Sequence, residues 1–124
     1  MGRFYFGQIV LASIDDGRGH TKERPAVIIS DDDNYQVTGE ILVVPITKRS
    51  EDPCPYYHIQ VHDSTDKDSG TGLYYPCWAK CNWARWLPIR RIQSTLGQMP
   101  DDLLTKIADA FDALYADDTF IDWQ

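Results

Sequence analysis

The sequence predicts a mainly β protein, in which short strands form a small, strongly curved, mostly antiparallel barrel that one C-terminal helix closes. Short apolar and β-branched runs recur along the chain, separated by turns rich in glycine, proline and aspartate. Near residue 100 the spacing of apolar residues changes to the helical period. With 124 residues the chain is long enough for one core, so we expect a single domain.

Strand-like composition occurs in segments 7–13, 26–30, 41–46, 57–62, 73–81 and 90–96. Apolar and polar residues alternate in the fourth of these, which is typical of a half-exposed strand. Pro45 has no N–H to donate, so it predicts that the end of the third strand lies at an edge or a terminus of the sheet. Residues 82–88 show neither pattern and are predicted to be irregular.

A helix is predicted from Pro100 onward, where apolar residues recur at helical spacing. They are Leu103, Leu104, Ile107, Ala108, Phe111 and Leu114. Pro100 suits the first turn, and Asp101 and Asp102 suit the positive end of the helix dipole. We therefore predict one barrel domain over residues 1–116 that ends in this amphipathic helix. Residues 117–124 are predicted to be a short acidic and aromatic tail.

The formal net charge of −7 argues at first against a nucleic-acid partner. The charge is unevenly distributed, because residues 100–124 carry seven acids and one base, which leaves −1 for residues 1–99. The bases near the predicted strands are Arg18, Lys22, Arg24, Lys48, Arg49, Lys80, Arg85, Arg90 and Arg91. A locally positive face on an acidic protein is therefore compatible with the sequence.

The cysteine count and the hydropathy pattern indicate a cytoplasmic protein. Cys54, Cys77 and Cys81 are an odd number, which favours free thiols in a reducing compartment. No apolar run approaches the roughly 20 residues that a bilayer requires. No cleavage site follows the short apolar run at residues 4–12, so we expect neither a signal peptide nor a membrane partner.

A zinc site is an alternative interpretation of the cysteines and histidines. Cys54, His58 and His62 follow one another at intervals of four residues, and so do Cys77 and Cys81. This spacing differs from the short Cys-x2-Cys pattern of structural zinc sites. Small core residues are the favoured interpretation of the last two cysteines, and we expect neither a metal nor another cofactor.

One stretch combines a polar loop, an arginine and a buried strand. Gly17 and Gly19 bracket a loop that runs into Arg24 and Pro25, after which the chain becomes apolar. Pro25 favours an extended Arg24, so stiff backbone would place the guanidinium at the mouth of the strand. Thr47 follows the third strand and could meet Arg24 at one edge of the sheet. A surface arginine and a strand-end threonine are the alternative.

Short motifs follow one another over residues 7–114. They are Gly7-Gln8-Ile9-Val10, Arg24-Pro25-Ala26 followed by Val27-Ile28-Ile29-Ser30, Pro45-Ile46-Thr47, Gly72-Leu73, Leu96-Gly97 and Pro100-Asp101-Asp102-Leu103-Leu104. In this order and spacing the chain resembles the PemK/MazF family of toxins from type II toxin–antitoxin systems. The resemblance implies a plasmid-toxin-like, SH3-like β-barrel, a homodimer, and metal-independent cleavage of single-stranded RNA, often messenger RNA. It also implies a cognate antitoxin that lays a disordered segment over the RNA-binding groove.

The resemblance also implies roles for individual residues. Arg24 matches the family's arginine after the first loop, and Thr47 matches its threonine after the third strand. Gly19-His20 matches a Gly-His pair that assists the chemistry in PemK-like members. Lys80 matches the arginine of an Arg-Cys-Asp segment in those members, although it lacks the planar fork of arginine.

In the implied mechanism the 2′-hydroxyl of the RNA attacks the adjacent phosphate. Arg24 would bind that phosphate bidentately and stabilise the transition state, and Thr47 would hydrogen-bond a phosphate oxygen. His20 would act as acid or base, since histidine titrates near neutral pH, and Lys80 would add positive charge. The candidate substrate-binding residues are Asn82, Lys48, Arg49 and Trp83. Exposed aromatic side chains such as Tyr56, Trp83 or Trp86 could stack on unpaired bases.

A non-catalytic module on the same barrel, which binds nucleic acid or protein, is the alternative function. Asn82 stands where PemK-like members have an aspartate as the candidate base, and an amide cannot take up a proton in the useful range. The net negative charge of the chain and the three consecutive aspartates at residues 31–33 also favour this alternative.

Overall fold

The computed structural model describes residues 3–15, 18–32 and 35–116, so the predicted tail at 117–124 lies outside the described residues. In chain order the elements are β1 (Gln8–Asp15), β2 (Thr21–Ile28), α1 (Tyr35–Thr38), β3 (Glu40–Thr47), β4 (His58–His62), β5 (Cys77–Lys80), β6 (Arg85–Pro88), β7 (Ile92–Gln98) and α2 (Asp101–Tyr115). Two single 3₁₀ turns, Cys81–Trp83 and Ile89–Arg91, flank β6.

The strands form one antiparallel sheet with the order β4-β5-β3-β2-β1-β7, and β6 pairs with β3 off this path. This arrangement and the C-terminal helix confirm the predicted mainly β fold class. Within the described residues the hydrogen-bonded path does not close into a ring, because β4 and β7 end it without pairing with each other.

The central strands are buried on both faces. Ile9 and Val27 belong to an apolar cluster that includes α2, whereas Val10 and Ala26 belong to a second cluster that includes Leu87 of β6. Because successive side chains of a strand point to opposite faces, burial of both sets explains why these strands appear in the sequence as continuous apolar runs.

α2 confirms the predicted C-terminal helix. Its buried residues are Leu104, Ile107, Ala110 and Leu114, which pack on the first cluster. The Sγ atom of buried Cys81 donates a hydrogen bond to the carbonyl oxygen of Ile107 at 3.6 Å and so ties the helix to the turn after β5. Neither helix of the described segments has the length and apolar character that a membrane span requires.

Of the two positions predicted for Pro45, the sheet edge is wrong, whereas the strand terminus is correct because Pro45 lies near the C-terminal end of β3. β3 lies inside the sheet, and Pro45 pairs with Ala26 of β2. On its other side β3 changes partners: β6 pairs with it as far as Val43, and β5 pairs with it from Ile46. Pro45 lies in the gap between these two partner strands, where a missing N–H costs no ladder hydrogen bond.

The prediction that residues 82–88 are irregular is also wrong. After one 3₁₀ turn, Arg85–Pro88 forms β6 and pairs with residues 40–43 of β3. Only Leu87 of this strand is buried, and Trp86 is exposed. A four-residue strand with one buried side chain and a terminal proline has too little alternation to be recognised from its sequence.

Two glycine-containing motifs that are distant in sequence form one contact. A Cβ on Gly97 would come within 2.7 Å of the carbonyl carbon of Thr71, and a Cβ on Gly72 would meet the carbonyl oxygen of Leu96 at 2.6 Å. Gly72 also has a φ of +79°, which disfavours other residues. The N–H of Gln98 donates to the carbonyl oxygen of Gly70 at 2.9 Å. These contacts fix the loop before Leu73 against β7.

Candidate active-site groove

A groove opens where β2 and β3 stop pairing. Their last pair is Ala26 with Pro45, and continuing that register would set Arg24 opposite Thr47. In the next pair of that register Pro25 would face Ile46, and Pro25 lacks the N–H that such a pair would use, which explains why the two strands separate at this point. Pro25, which comes just before the predicted second strand, therefore marks the start of a cleft between β2 and β3.

The groove has a volume of about 680 Å³ and combines an apolar floor with a cationic rim. The apolar residues that line it are Leu11, Pro25, Ile46, Leu73 and Leu96. The cationic residues that line it are Lys22, Arg24, Lys48, Arg49 and Lys80. Among the described residues of the lining, only Glu23 is a carboxylate. An acidic protein thus carries a positive cleft suited to an anionic ligand.

Arg24 lies within β2, paired with Ala12 of β1, rather than at the end of a loop. The predicted loop over 14–23 is shorter than expected, because exposed residues from Thr21 onward still pair with β1. Within the described part of the chain, the Arg24 side chain makes no hydrogen bond or ion pair. A half-buried guanidinium on a rigid strand is therefore available to a ligand in the groove.

Thr47 is 7% exposed, and its hydroxyl is already engaged. The Oγ1 atom donates to the carbonyl oxygen of Arg49 at 2.9 Å. This bond shapes the turn that carries Lys48 and Arg49 into the groove. The sequence led us to expect that the Thr47 hydroxyl donates a hydrogen bond to a phosphate oxygen. While the bond to Arg49 is made, the hydroxyl can accept a hydrogen bond but cannot donate a second one.

Lys80 ends β5 and lies beside Arg24 and Trp83. Its Nζ atom is 4.2 Å from the centroid of the Trp83 ring. Burial lowers the pKa of Lys80; Glu51 opposes this shift, and the positive charge of Arg24 adds to it. Elsewhere in the lining, the Nζ of Lys48 lies 4.8 Å from the centroid of the Tyr75 ring. Two cation–π pairs thus hold ammonium groups along the groove.

Comparison with known proteins identifies the fold and the family. A family model described as the PemK-like, MazF-like toxin of type II toxin–antitoxin system matches residues 5–115. The chain belongs to this PemK/MazF family. No curated protein sequence matches the chain.

Solved structures of PemK/MazF toxins have the same fold. MazF from Deinococcus radiodurans aligns with a TM-score of 0.73 and 19% identity over 94% of this chain and 100% of its own. The Mycobacterium tuberculosis toxin MazF-mt6 aligns with a TM-score of 0.67 and 20% identity over 90% of this chain and 98% of its own. A mycobacterial endoribonuclease in complex with its cognate antitoxin aligns with a TM-score of 0.69 and 17% identity, over 90% of this chain and 94% of its own.

Two residues matched to the PemK/MazF family lie outside the groove lining. His20 is exposed on the segment before β2 and is not among the lining residues. Asn82 is exposed in the 3₁₀ turn after Lys80 and is likewise not among them. The structure therefore brings together Arg24, Thr47, Lys48, Arg49, Lys80 and Trp83 of the predicted site residues, but not His20 and Asn82.

A buried histidine lies next to this site. His58 pairs with Lys80 across β4 and β5 and is 5% exposed. Its Nδ1 atom lies 2.9 Å from the Oγ of Ser50, whereas its Nε2 has no hydrogen-bond partner among the described residues. Burial and the charge of Lys80 lower the pKa of His58, against smaller opposing effects of Asn82 and Glu51. This histidine is therefore neutral at pH 7.

Sequence reasoning missed Lys22, Tyr74 and Tyr75, which also line the groove. Lys22 is two residues before Arg24, so on a strand both side chains lie on one face, and a longer predicted β2 would have revealed the pair. Tyr74 and Tyr75 precede β5, and residues 73–76 were predicted to be strand. In the structure these residues form a loop before β5, and Tyr74 lies at the groove with 60% exposure.

The zinc alternative has no support in the described segments, where no group of three or more His, Cys, Asp or Glu residues could hold a metal ion. Cys77 and Cys81 are fully buried, and burial raises the pKa of each thiol to about 12. They are core residues. Cys54 is exposed and contacts the Oγ of Ser50 at 3.3 Å.

Proposed function

We propose that this type II toxin is a metal-independent endoribonuclease that cleaves single-stranded RNA in the groove between β2 and β3. The observation that carries the proposal is the grouping of five cationic side chains around an apolar floor in a protein of net charge −7. Cations match the phosphates of RNA, and the floor with its aromatic rim suits unpaired bases. Family membership and the fold shared with MazF structures support the same activity.

Arg24 is proposed to bind the scissile phosphate. The 2′-hydroxyl of the preceding nucleotide attacks phosphorus, and negative charge builds on the non-bridging oxygens. A guanidinium donates two parallel hydrogen bonds to these oxygens and is most effective where they carry most charge, in the transition state. Lys80 adds a second positive charge from β5. Thr47 supports the reaction by holding the turn of Lys48 and Arg49, which bind neighbouring phosphates.

Proton transfer requires an acceptor for the 2′-hydroxyl proton and a donor for the leaving 5′-oxygen. We propose that Lys80 and His20 share these roles. Lys80 lines the groove beside Arg24, and its lowered pKa makes the ammonium a better acid than an ordinary lysine. His20 lies outside the lining residues, so Lys80 is the better placed of the two. Trp83 and Asn82 are proposed to contact bases next to the scissile bond.

We propose a cognate antitoxin and a second copy of this chain as partners. MazE–MazF structures from Deinococcus radiodurans and a mycobacterial endoribonuclease with its cognate antitoxin share this fold. The cationic groove suits an acidic antitoxin segment that competes with RNA. A toxin that acts on messenger RNA works in the cytoplasm, the location that the free thiols also favour.

A non-catalytic RNA-binding module is the second candidate function. One observation favours it: neither a histidine nor an aspartate lies among the described residues of the groove lining, and Asn82 replaces the expected base. In this alternative the groove holds RNA through the same cations but leaves the strand intact.

The decisive experiment incubates purified protein with a long unstructured RNA in EDTA and maps the products. We expect discrete fragments that end in 2′,3′-cyclic or 3′-phosphate, because the 2′-hydroxyl is the nucleophile. A strand with 2′-deoxy sugars at the mapped positions is the matched control and should stay intact. Intact RNA that nevertheless binds tightly would favour the non-catalytic module.

A further inference from the structure

A second cavity, of about 220 Å³, adjoins the groove. Arg24 and Trp83 line both spaces, and the second cavity is completed by Ile14, Asp15, Pro45 and Arg85. Buried Ile14 and Pro45 give it an apolar floor. A strand that crosses Arg24 in the groove can therefore continue into this cavity past Trp83.

Arg85 is oriented in this cavity by two backbone carbonyl groups. Its Nη1 donates to the carbonyl oxygen of Asp15 at 2.6 Å, and its Nε donates to that of Trp83 at 3.2 Å. A guanidinium has five N–H donors, so both bonds leave donors for a ligand. Because the side chain is fixed beforehand, a ligand loses less side-chain entropy when it binds.

The charges around the cavity favour an anion. Among the described residues that line it, Arg24 and Arg85 are cationic and Asp15 is the only carboxylate. The fixed guanidinium of Arg85 has the geometry that phosphate oxygens match. Exposed Trp83 and Trp86 flank Arg85 in sequence, at 40% and 47% exposure, and offer ring surface to the bases of the same strand.

We propose that this cavity is a second phosphate subsite, in which Arg85 binds the phosphodiester next to the one held by Arg24. The inference rests on the proposed function, since both phosphates belong to one RNA strand. Arg85 would therefore position the strand and raise affinity, while Arg24 acts on the scissile bond.

The first test uses the wild-type protein, so no variant has to fold. Single methylphosphonate linkages, which carry no charge, are placed in turn at each position of a short 2′-fluoro RNA that lacks the attacking hydroxyl. We expect affinity to fall at the mapped scissile position, at the neighbouring linkages that Lys48 and Arg49 bind, and at an adjacent linkage that Arg85 binds, which the Arg85 variant below identifies. A single sensitive linkage would overturn the second subsite.

The second test compares Arg85→Gln with Arg90→Gln, an exposed arginine that lines neither cavity. Each phosphate contact with a single strand contributes about 0.7 to the slope of log affinity against log salt concentration. Arg85→Gln should reduce that slope by about 0.7, raise KM more than it lowers kcat, and abolish sensitivity at the adjacent linkage. Arg90→Gln should match the wild type.

The outcomes separate this subsite from the proposed function. A wild-type protein that neither binds nor cleaves RNA refutes both. A wild-type protein that cleaves RNA, together with an Arg85→Gln variant of unchanged salt slope, refutes the subsite alone. A lower thermal midpoint with an unchanged slope would then leave Arg85 as a structural link between β1 and β6.

Discussion

Lys80 and His58 form a Cα pair across β5 and β4, and burial acts on both side chains. Burial lowers the pKa of each, and the charge of Lys80 lowers that of His58 further. The lysine faces the groove, where its positive charge is useful to an anionic ligand. The neutral histidine opposite it on the same face of the sheet adds no competing charge, so the two residues together keep one cation at this point.

The shifted pKa of His58 makes stability depend on pH. Its folded pKa lies below the ordinary value of 6.5, so the unfolded chain takes up the proton first as pH falls. The contribution to stability is therefore complete above about pH 6.5 and is lost progressively below it. Urea unfolding between pH 7.5 and pH 5 should show this loss in the wild type and a flatter profile in His58→Asn. An equally flattened profile in His62→Asn, the control on the same strand, would contradict this assignment.

The three thiols should differ sharply in reactivity. Cys77 and Cys81 are buried, and their raised pKa of about 12 keeps them protonated, whereas Cys54 is exposed. Since the thiolate is the reactive form, iodoacetamide should modify only Cys54 in the folded protein. Mass spectrometry of the native and urea-unfolded protein checks this. Labelling of native Cys54→Ser at a rate near that of the wild type would show that the core thiols are accessible.

At the scale of elements, the separation of β2 from β3 creates the site. Both Pro25 and Pro45 lack a backbone N–H, but only Pro25 lies where that N–H would have extended the pairing of β2 with β3. The cleft was not predictable, because it depends on the register that sets Pro25 next to the last pair, Ala26 with Pro45. β6 was missed for a related reason: its pairing with residues 40–43 of β3 is a tertiary contact that its own four residues do not indicate.

The buried face of α2 should account for most of what this helix contributes to the stability of the folded protein. Ile107 is fully buried in the cluster that α2 shares with the sheet, whereas Lys106 is exposed. Ile107→Ala should lower the free energy of unfolding by about 2–5 kcal/mol through lost burial and a residual cavity. Lys106→Ala should change it by no more than about 0.5 kcal/mol. Urea titrations of both variants measure the difference, and similar effects would place α2 elsewhere than on this core.

At the scale of the whole molecule, the net charge is distributed unevenly along the sequence. The C-terminal region holds most of the net negative charge, and five of the bases near the strands line one groove. The sequence predicted the family through short motifs, and it singled out four of the five cationic residues that line the groove: Arg24, Lys48, Arg49 and Lys80. It did not predict which bases share the groove, because that depends on how β2, β3 and β5 diverge in space.

The same resemblance matched both Arg24 and His20, but only Arg24 lies in the groove lining. Arg24 is fixed by a strand motif whose backbone the sequence specifies. His20 was matched to a loop motif, and loop residues are placed by tertiary contacts. The structure leaves it exposed and outside the lining residues.

The central claim is that Arg24 acts on the scissile phosphate in this groove, and one rate measurement tests it most directly. The single-turnover rate of RNA cleavage in EDTA is compared for wild type, Arg24→Ala and the control Arg90→Ala. Loss of a transition-state donor should slow Arg24→Ala roughly 10²- to 10³-fold, with folding unchanged, while Arg90→Ala cleaves as the wild type does. A rate for Arg24→Ala within a few-fold of the wild type would contradict the claim and place the chemistry at another site.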